Sequence, residues 1–348
     1  MDSPDVRLEV AGDQYGGWTS ISIRRGLEQL AGTFDLEVTE QWPGQETERP
    51  ILEGQECRVL VDGTPVITGY VDDVEVSYDA KGHTVAIRGR DKTCDLVDCC
   101  PPSTQMKSAD FLALAKKLCA PFGIAVVAEC DPGHAAPVKT DEGETVFEIL
   151  EQQARARAVL LTTDGKGRLV ITRLGQKRAG RGFKLGDNVR KASASFSMRE
   201  RFSEYTVKGQ TVASQSWNGE AAAHPKGQAK DPGVTRFRPL TLVAEQDAQG
   251  TAQQRAQHEC NQRYGKSRRV TYTVYGWYGN GVLWEPGQQA DIDDAFAKLS
   301  ETWVIGSVTW IMDDQGWRSE VTLCPKEAFD VAPPKAAGKG KGKTGGKW

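Results

Sequence analysis

The sequence predicts an α+β fold, mainly β, in which two similar β-barrel domains flank a small inserted α+β domain. Three observations predict it. Apolar and polar residues alternate through both ends of the chain, the pattern of half-buried strands. Helical spacing is concentrated between residues 101 and 185. One ordered set of glycine-marked segments occurs twice, 233 to 237 residues apart. The 348 residues suit two or three domains of about 100–200 residues, each able to bury its own core.

Residues 1–100 read as strands. VRLEV, TSISI and FDLEV alternate, and CRVLVDG and PVITGYV flank an Asp62-Gly63 turn signal. The stretch ITGYVDDVEVSYDAKGHTVAIRG (67–89) is a long hairpin. Val74, Val76 and Tyr78 share one face, Glu75 and Ser77 the other, and Val85 and Ile87 resume the apolar face after the turn. Six or seven strands and no good helix point to a barrel or sandwich.

The pattern changes at Pro101-Pro102. Phe111, Leu112, Ala115 and Leu118 have helical spacing, with Ser108 as a candidate N-cap and Pro121 as a stop. IAVVAEC is a short strand. A second helix, ETVFEILEQQARARAV (144–159), carries Val146, Ile149, Leu150 and Gln153 on one stripe, with Thr140 or Glu142 near its start. A hairpin turning at Asp164-Gly165 completes residues 101–185 as the α+β domain.

Residues 186–330 are expected to form the second β-domain. Strands cover 190–210, a Gly/Ala/Ser/Gln-rich loop covers 211–235, and a polar helix weakened by Gly250 covers 244–264, so that 211–265 interrupts the domain. The strands RVTYTVYGW, QQADIDD, TWVIGSVTWIM and WRSEVTL follow, and the fold ends near Phe329. Residues 331–348 form a low-complexity tail with five lysines and no acid, expected to be solvated and flexible, or to touch an anionic partner.

The duplication rests on four pieces in one order. LEGQ (52–55) pairs with WEPGQ (284–288), and VIGSVTWIMDDQGWRSEVTL (304–323) repeats the hairpin pattern. The glycines align as Gly54 with Gly287, Gly69 with Gly306, and Gly82 with Gly316. Upstream, ISIRR and GTFDLEVTEQW match FSMRERFSEYTVKG followed, after an insertion, by TYTVYGW.

Charge and composition exclude several classes. The hydrophobic share is 39% and the charged share 26%, as in a soluble globular protein. No apolar run approaches the roughly 18–20 residues of a membrane span, and MDSPDVRLEV lacks the basic start and apolar region of a signal peptide. A cytoplasmic site of synthesis and assembly is expected. Residues 1–100 hold 20 acids and 9 Lys or Arg, which argues against a surface that grips nucleic acid. The eight cysteines form no C-x-x-C pair and read as reduced thiols, mostly buried; Cys94, Cys99 and Cys100 lack the spacing of a metal cluster.

No catalytic constellation emerges. His83, His134, His224 and His258 fall in no zinc-protease motif, and no nucleophile elbow or phosphate loop occurs. Gly342-Lys343-Thr344 imitates a phosphate-loop ending without a flanking strand or helix. Asp72-Asp73 and Asp293-Asp294 are paired acids, but strand neighbours point to opposite faces and cannot oppose each other across a cleft. Five of nine tryptophans, Trp277, Trp284, Trp303, Trp310 and Trp317, cluster in sequence and fit a core, with a protein interface or a carbohydrate platform as alternatives. No catalytic, cofactor-binding or metal-ligating residue is assigned.

The run GYVDDVEVSYDAKGHTVAIRGRDKTCDLVDCC (69–100) resembles the baseplate hub proteins of contractile-tailed phages, those of phage Mu and its relatives. Gly89-Arg90-Asp91 and Asp95-Leu96-Val97-Asp98 carry the likeness, with FRPLTLVAEQ (237–246), GWYGNGVLWEPGQ (276–288) and LCPKEAF (323–329). It covers residues 1–330. The resemblance implies a non-enzymatic homotrimer with two β-barrel tube domains per chain, forming a pseudo-hexameric ring. That ring would join the hexameric tail tube to the trimeric central spike in the virion. It would contact other baseplate proteins and the tape-measure protein, and pass DNA without binding it. A VgrG-like secretion spike hub shares the architecture but would carry a long β-helical needle. A tail-associated cell-wall hydrolase is the third reading and lacks a catalytic set.

Overall fold

The computed structural model describes residues 3–39, 51–79, 83–103, 105–106, 109–155, 157, 159–174, 177–208, 226–243 and 252–329. The first part contains β1 (Val6–Val10), β2 (Ser20–Gly26), β3 (Thr33–Thr39), β4 (Glu56–Val61), β5 (Thr64–Tyr78) and β6 (His83–Asp91), with a short strand Asp13–Tyr15 against β1. Their alternation buries Leu8, Ile21, Ile23, Leu36, Val59 and Ile87 on one face. Asp62 and Gly63 both take positive φ in the β4–β5 turn, as a tight hairpin requires. A one-turn helix, α1 (Cys94–Asp98), closes this part. The alternation predicts no helix there, because five residues are too few for a periodic signal.

The middle part holds α2 (Phe111–Cys119), β7 (Val126–Ala128), α3 (Val146–Arg155), β8 (Leu160–Thr163) and β9 (Leu169–Thr172). Phe111, Leu114, Leu118, Val146, Ile149 and Leu150 bury between the helices and the sheet. Ser108 lies outside the described residues. α3 begins within the expected 144–159, and the residue that caps it is Thr145 rather than Thr140 or Glu142: Thr145 Oγ1 accepts from Glu148 N–H at 3.2 Å, and Glu148 accepts from Thr145 N–H at 2.8 Å. This capping box satisfies two helix-end donors and fixes the boundary.

The last part begins with β10 (Val189–Phe196). A small unit follows: β11 (Glu204–Lys208), β12 (Lys226–Lys230), β13 (Pro239–Val243) and α4 (Ala252–Lys266), with Tyr205, Val207, Ala256 and Cys260 as its core. The segment read as a loop over 211–235 therefore contains a strand. FSEYTVKG belongs to this unit and not to the repeat. Then come β14 (Arg268–Tyr275), β15 (Gln288–Asp294), β16 (Leu299–Asp313) and β17 (Gly316–Cys324).

One sheet runs through both β parts in the order β10-β14-β17-β16-β2-β3-β6-β5-β4-β1, with β15 also on β16. The order β10-β14-β17-β16-β15 repeats β2-β3-β6-β5-β4. A 15-residue strand precedes a 9-residue strand in each copy. Gly54 N–H donates to Val71 O at 2.7 Å, and Gly287 N–H donates to Ile305 O at 2.8 Å. Both glycines hold positive φ, +82° and +85°, which other residues resist. Each long strand bulges next, at Asp72 in β5 and at Gly306 in β16. Gly306 thus corresponds to Asp72, and the alignment of Gly69 with Gly306 is corrected by three residues. Gly82 lies outside the described residues.

Ser307–Met312 of β16 pairs antiparallel with Ile21–Gly26 of β2, so the two copies share one hydrophobic core. Trp310 is fully buried there, opposite Ile23. Trp310→Ala should destabilise the β core by about 3–5 kcal/mol, the usual range for removing a buried tryptophan. Denaturant unfolding followed by circular dichroism checks this; a loss under about 1 kcal/mol would contradict the packing.

The β8–β9 turn docks on β5. Thr68 Oγ1 donates to Gly165 O at 2.8 Å, and a Cβ on Gly165 would lie 1.9 Å from Pro65 O. Beside it, Asp91 is buried and accepts from Thr93 N–H and Oγ1 at 2.9 and 2.8 Å. Burial outweighs those bonds and pushes its carboxyl up to about 6. Between about pH 4 and 6 the folded state holds a proton that the unfolded chain releases, so this group's contribution falls as pH rises. Asp91→Asn keeps an acceptor for Thr93 without the charge. Its stability relative to the unsubstituted protein should rise by on the order of 2–3 kcal/mol from pH 4 to pH 7. Denaturant titrations at both pH values test this, and a flat or falling difference refutes it.

Candidate assembly surface

The chemistry-bearing residues are spent on structure. Asp72, at the bulge, pairs with Arg90 at 2.7 Å, and Arg90 also reaches Asp98 of α1 at 2.8 Å. The bulge aims Asp72 at the β6–α1 corner. The two Asp72 and Asp98 bonds hold Arg90 above its ordinary range against the opposing effect of burial. Asp293 is exposed and pairs with Lys184 at 3.1 Å, while Asp294 is buried and accepts from Tyr272 Oη at 2.9 Å. Strand neighbours therefore face opposite ways, as expected. Tyr272 is pushed up by its burial, then by that carboxylate.

His83 opens β6 and meets Tyr78 edge-on at 5.9 Å. His134 contributes its carbonyl, which accepts from Arg157 Nε at 2.8 Å. His258 lies on α4, and His224 and the Lys/Gly tail lie outside the described residues. Burial pushes the Cys94 thiol up to about 12 and Cys99 upward, away from thiolate chemistry. Among the described residues no group of three His, Cys, Asp or Glu could hold a metal ion.

The tryptophans form core rather than a platform. Trp277, Trp284, Trp303 and Trp310 are buried, and Trp317 is half-buried against the same cluster. Trp277 lies 4.9 Å from Trp317 edge-on, and Phe183 stacks on Tyr272 at 5.4 Å.

The remaining features are the sheet's faces and edges. Opposite the core, Asp35 and Glu75 flank Arg88 at 2.7 and 2.6 Å across three adjacent strands. Their carboxylates hold Arg88 above its ordinary range. Along the edges, every residue of β10 after Val189 is exposed although VRKASASF alternates as a buried strand would. The end of β5 is also uncovered: Val76 is 43% and Tyr78 76% exposed. Both lie on the apolar face, as the alternation predicts, but the described residues do not cover them.

Three family descriptions match the chain in order. Residues 5–91 match the N-terminal domain of Mu phage baseplate assembly protein GpP-like, 93–173 the second domain of baseplate hub protein gp44-like, and 248–332 the fourth domain of GpP. The chain is 34% identical to baseplate hub protein gp44 of Escherichia phage Mu, over 94% of this chain and 90% of that protein. Among solved structures it is similar to the 43 kDa tail protein of prophage MuSo2 from Shewanella oneidensis, with TM-score 0.83 and 36% identity over 94% and 99% of the two chains. The tail protein from Neisseria meningitidis MC58 shares the fold, with TM-score 0.79 and 24% identity over 96% and 100%.

Proposed function

The chain belongs to the Mu-type baseplate hub family of phage tails, and from that premise we propose that it works as a homotrimeric ring. The observation that carries this reading is the β16–β2 ladder. It sets two near-equivalent five-strand sets side by side in one chain. Three such chains present six near-equivalent sets, so one surface can meet a sixfold tail tube and the other a threefold central spike. The ring contacts are cyclic and heterologous, as closure about a threefold axis demands.

The function on this reading is symmetry matching and sealing, without bond chemistry. The protein sits in the virion's tail baseplate after assembly in the host cytoplasm, beside other baseplate proteins and the tape-measure protein. The polar face bearing Asp35, Glu75 and Arg88 lines a DNA conduit. Its acids suit passage, since many basic contacts would hold the phosphate backbone tightly. A reconstructed ring with a basic lumen would overturn the conduit assignment, and cell-wall digestion in a zymogram would overturn the non-enzymatic one.

Native mass spectrometry of the purified full chain tests the ring. A species of three chains is expected; a monomer or dimer at the highest soluble concentration contradicts it.

A further inference from the structure

We propose that the outer part of β5, Asp73–Tyr78, pairs antiparallel with β10 of a second copy of this chain, placing Val76 opposite Ala194 and Tyr78 opposite Ala192 of the partner subunit. This rests on the ring reading above and assigns its contact. The argument is the internal repeat. On one side, β16 pairs with β15 through Leu299–Val304 and then with β2 through Ser307–Met312. On the corresponding side, β5 pairs with β4 through Thr64–Tyr70, and among the described residues no strand covers that side after its bulge. The strand equivalent to β2 is β10, and among the described strands β10 forms the free end of the sheet. One chain therefore carries both halves of a joint that it also makes once within itself.

The repeat fixes the register. After the bulges, Asp73 pairs with Arg88 as Ser307 pairs with Thr322, so Val76 occupies the place of Trp310 and Tyr78 that of Met312. Ile21 lies opposite Leu36 as Ala192 lies opposite Tyr272, so Ala192 and Ala194 occupy the places of Ile21 and Ile23. Within the chain, Trp310 faces Ile23 and Met312 faces Ile21. Substituting equivalents gives the proposed pairs.

The side chains fit that register. Ala192, Ala194 and Phe196 share one face of β10, and Val74, Val76 and Tyr78 share one face of β5. Alanines beneath Val76 and Tyr78 leave room for the larger partners. The same ladder brings Asp79 opposite Lys191 of the partner subunit. A slip by one residue would instead set Lys191, Ser193 and Ser195 against the apolar face. The ladder also satisfies backbone groups that two exposed edges leave to solvent, edges that otherwise invite aggregation.

Paired cysteines test the register. Opposed residues in an antiparallel pair have Cα atoms about 4.5–5.5 Å apart, within the reach of a disulfide. Val76→Cys with Ala194→Cys, and separately Tyr78→Cys with Ala192→Cys, should convert the native trimer into a covalent trimer on mild oxidation. All four positions are exposed in the free chain, and circular dichroism confirms folding. Val76→Cys with Ser193→Cys points the thiols to opposite faces and should give no more cross-linking than the unsubstituted protein with its own eight cysteines. A native trimer in which neither in-register pair links overturns this pairing and leaves the ring standing. A monomer by native mass spectrometry overturns both.

Discussion

Everything in this molecule depends on a strand changing partners halfway along its length. β16 starts on β15, bulges at Gly306, and continues on β2. A 15-residue strand is long enough to serve two neighbours on one side, and the bulge supplies the extra twist that separates them. Without that exchange the two β parts would each end in an open edge. With it they share one sheet and one core, in which Ile21, Ile23 and Trp310 are buried together. Ion pairs brace the seam but do not make it: Arg269–Glu28 is half-exposed, and such pairs contribute little. The ladder and the apolar burial beneath it carry the joint.

The second copy has accepted an insertion that the first lacks. Between β10 and β14 the chain leaves the sheet at Ser197, builds β11, β12, β13 and α4, and returns at Arg268. The excursion has a small core of its own, and α4 also packs back on Lys326–Phe329, where a Cβ on Gly265 would lie 2.0 Å from Ala328 N. Tyr205 and Val207 are buried with Ala256 and Cys260, and Arg201 and Asp231 form a buried two-bonded pair at 2.8 Å. Both partners are satisfied, so the charges remain ionised; the Arg201 bonds and Gly233 N–H hold the Asp231 carboxyl below its ordinary range against the opposing effect of burial. Loop closure rises only slowly with length, so a folded insertion at a turn leaves the parent sheet intact.

Much of this was legible in the sequence. Alternation marked the hairpins, helical spacing marked α2 and α3, and the order of glycines marked the duplication. What the sequence hid has physical reasons. KGQAK contains no β-branched or aromatic residue, and it becomes a strand only because Glu204–Lys208 pairs with it. Its glycine admits α4, since a Cβ on Gly227 would lie 2.1 Å from the Ala252 carbonyl carbon. Gly69 is a false partner for Gly306 because the residue at the equivalent bulge is not a glycine. The bulge in β5 is filled by Asp72, whose side chain is held by Arg90. The shared element is a backbone shape, and two different residues fulfil it. The assembly surface was the least legible feature, because a strand covered by another chain has the same alternation as one covered by its own.

The two versions of the joint differ in a way that suits their tasks on the ring reading. Inside the chain the joint uses Ile21, Ile23 and Trp310, large buried side chains, with the partly buried Met312. Between chains the equivalent places hold Ala192, Ala194, Val76 and Tyr78. Apolar burial scales with area, at roughly 25 cal/mol per Å², so the joint with two alanines is the weaker of the two. An internal joint must form once, during folding, and never open. A joint between copies has to form after three folded chains meet, and association also costs translational and rotational freedom that folding within a chain does not. Smaller side chains reduce the exposed apolar area that a free subunit must tolerate before it meets its neighbours. The same backbone geometry thus serves permanence in one place and assembly in the other, and the side chains on one face of a single strand set the difference.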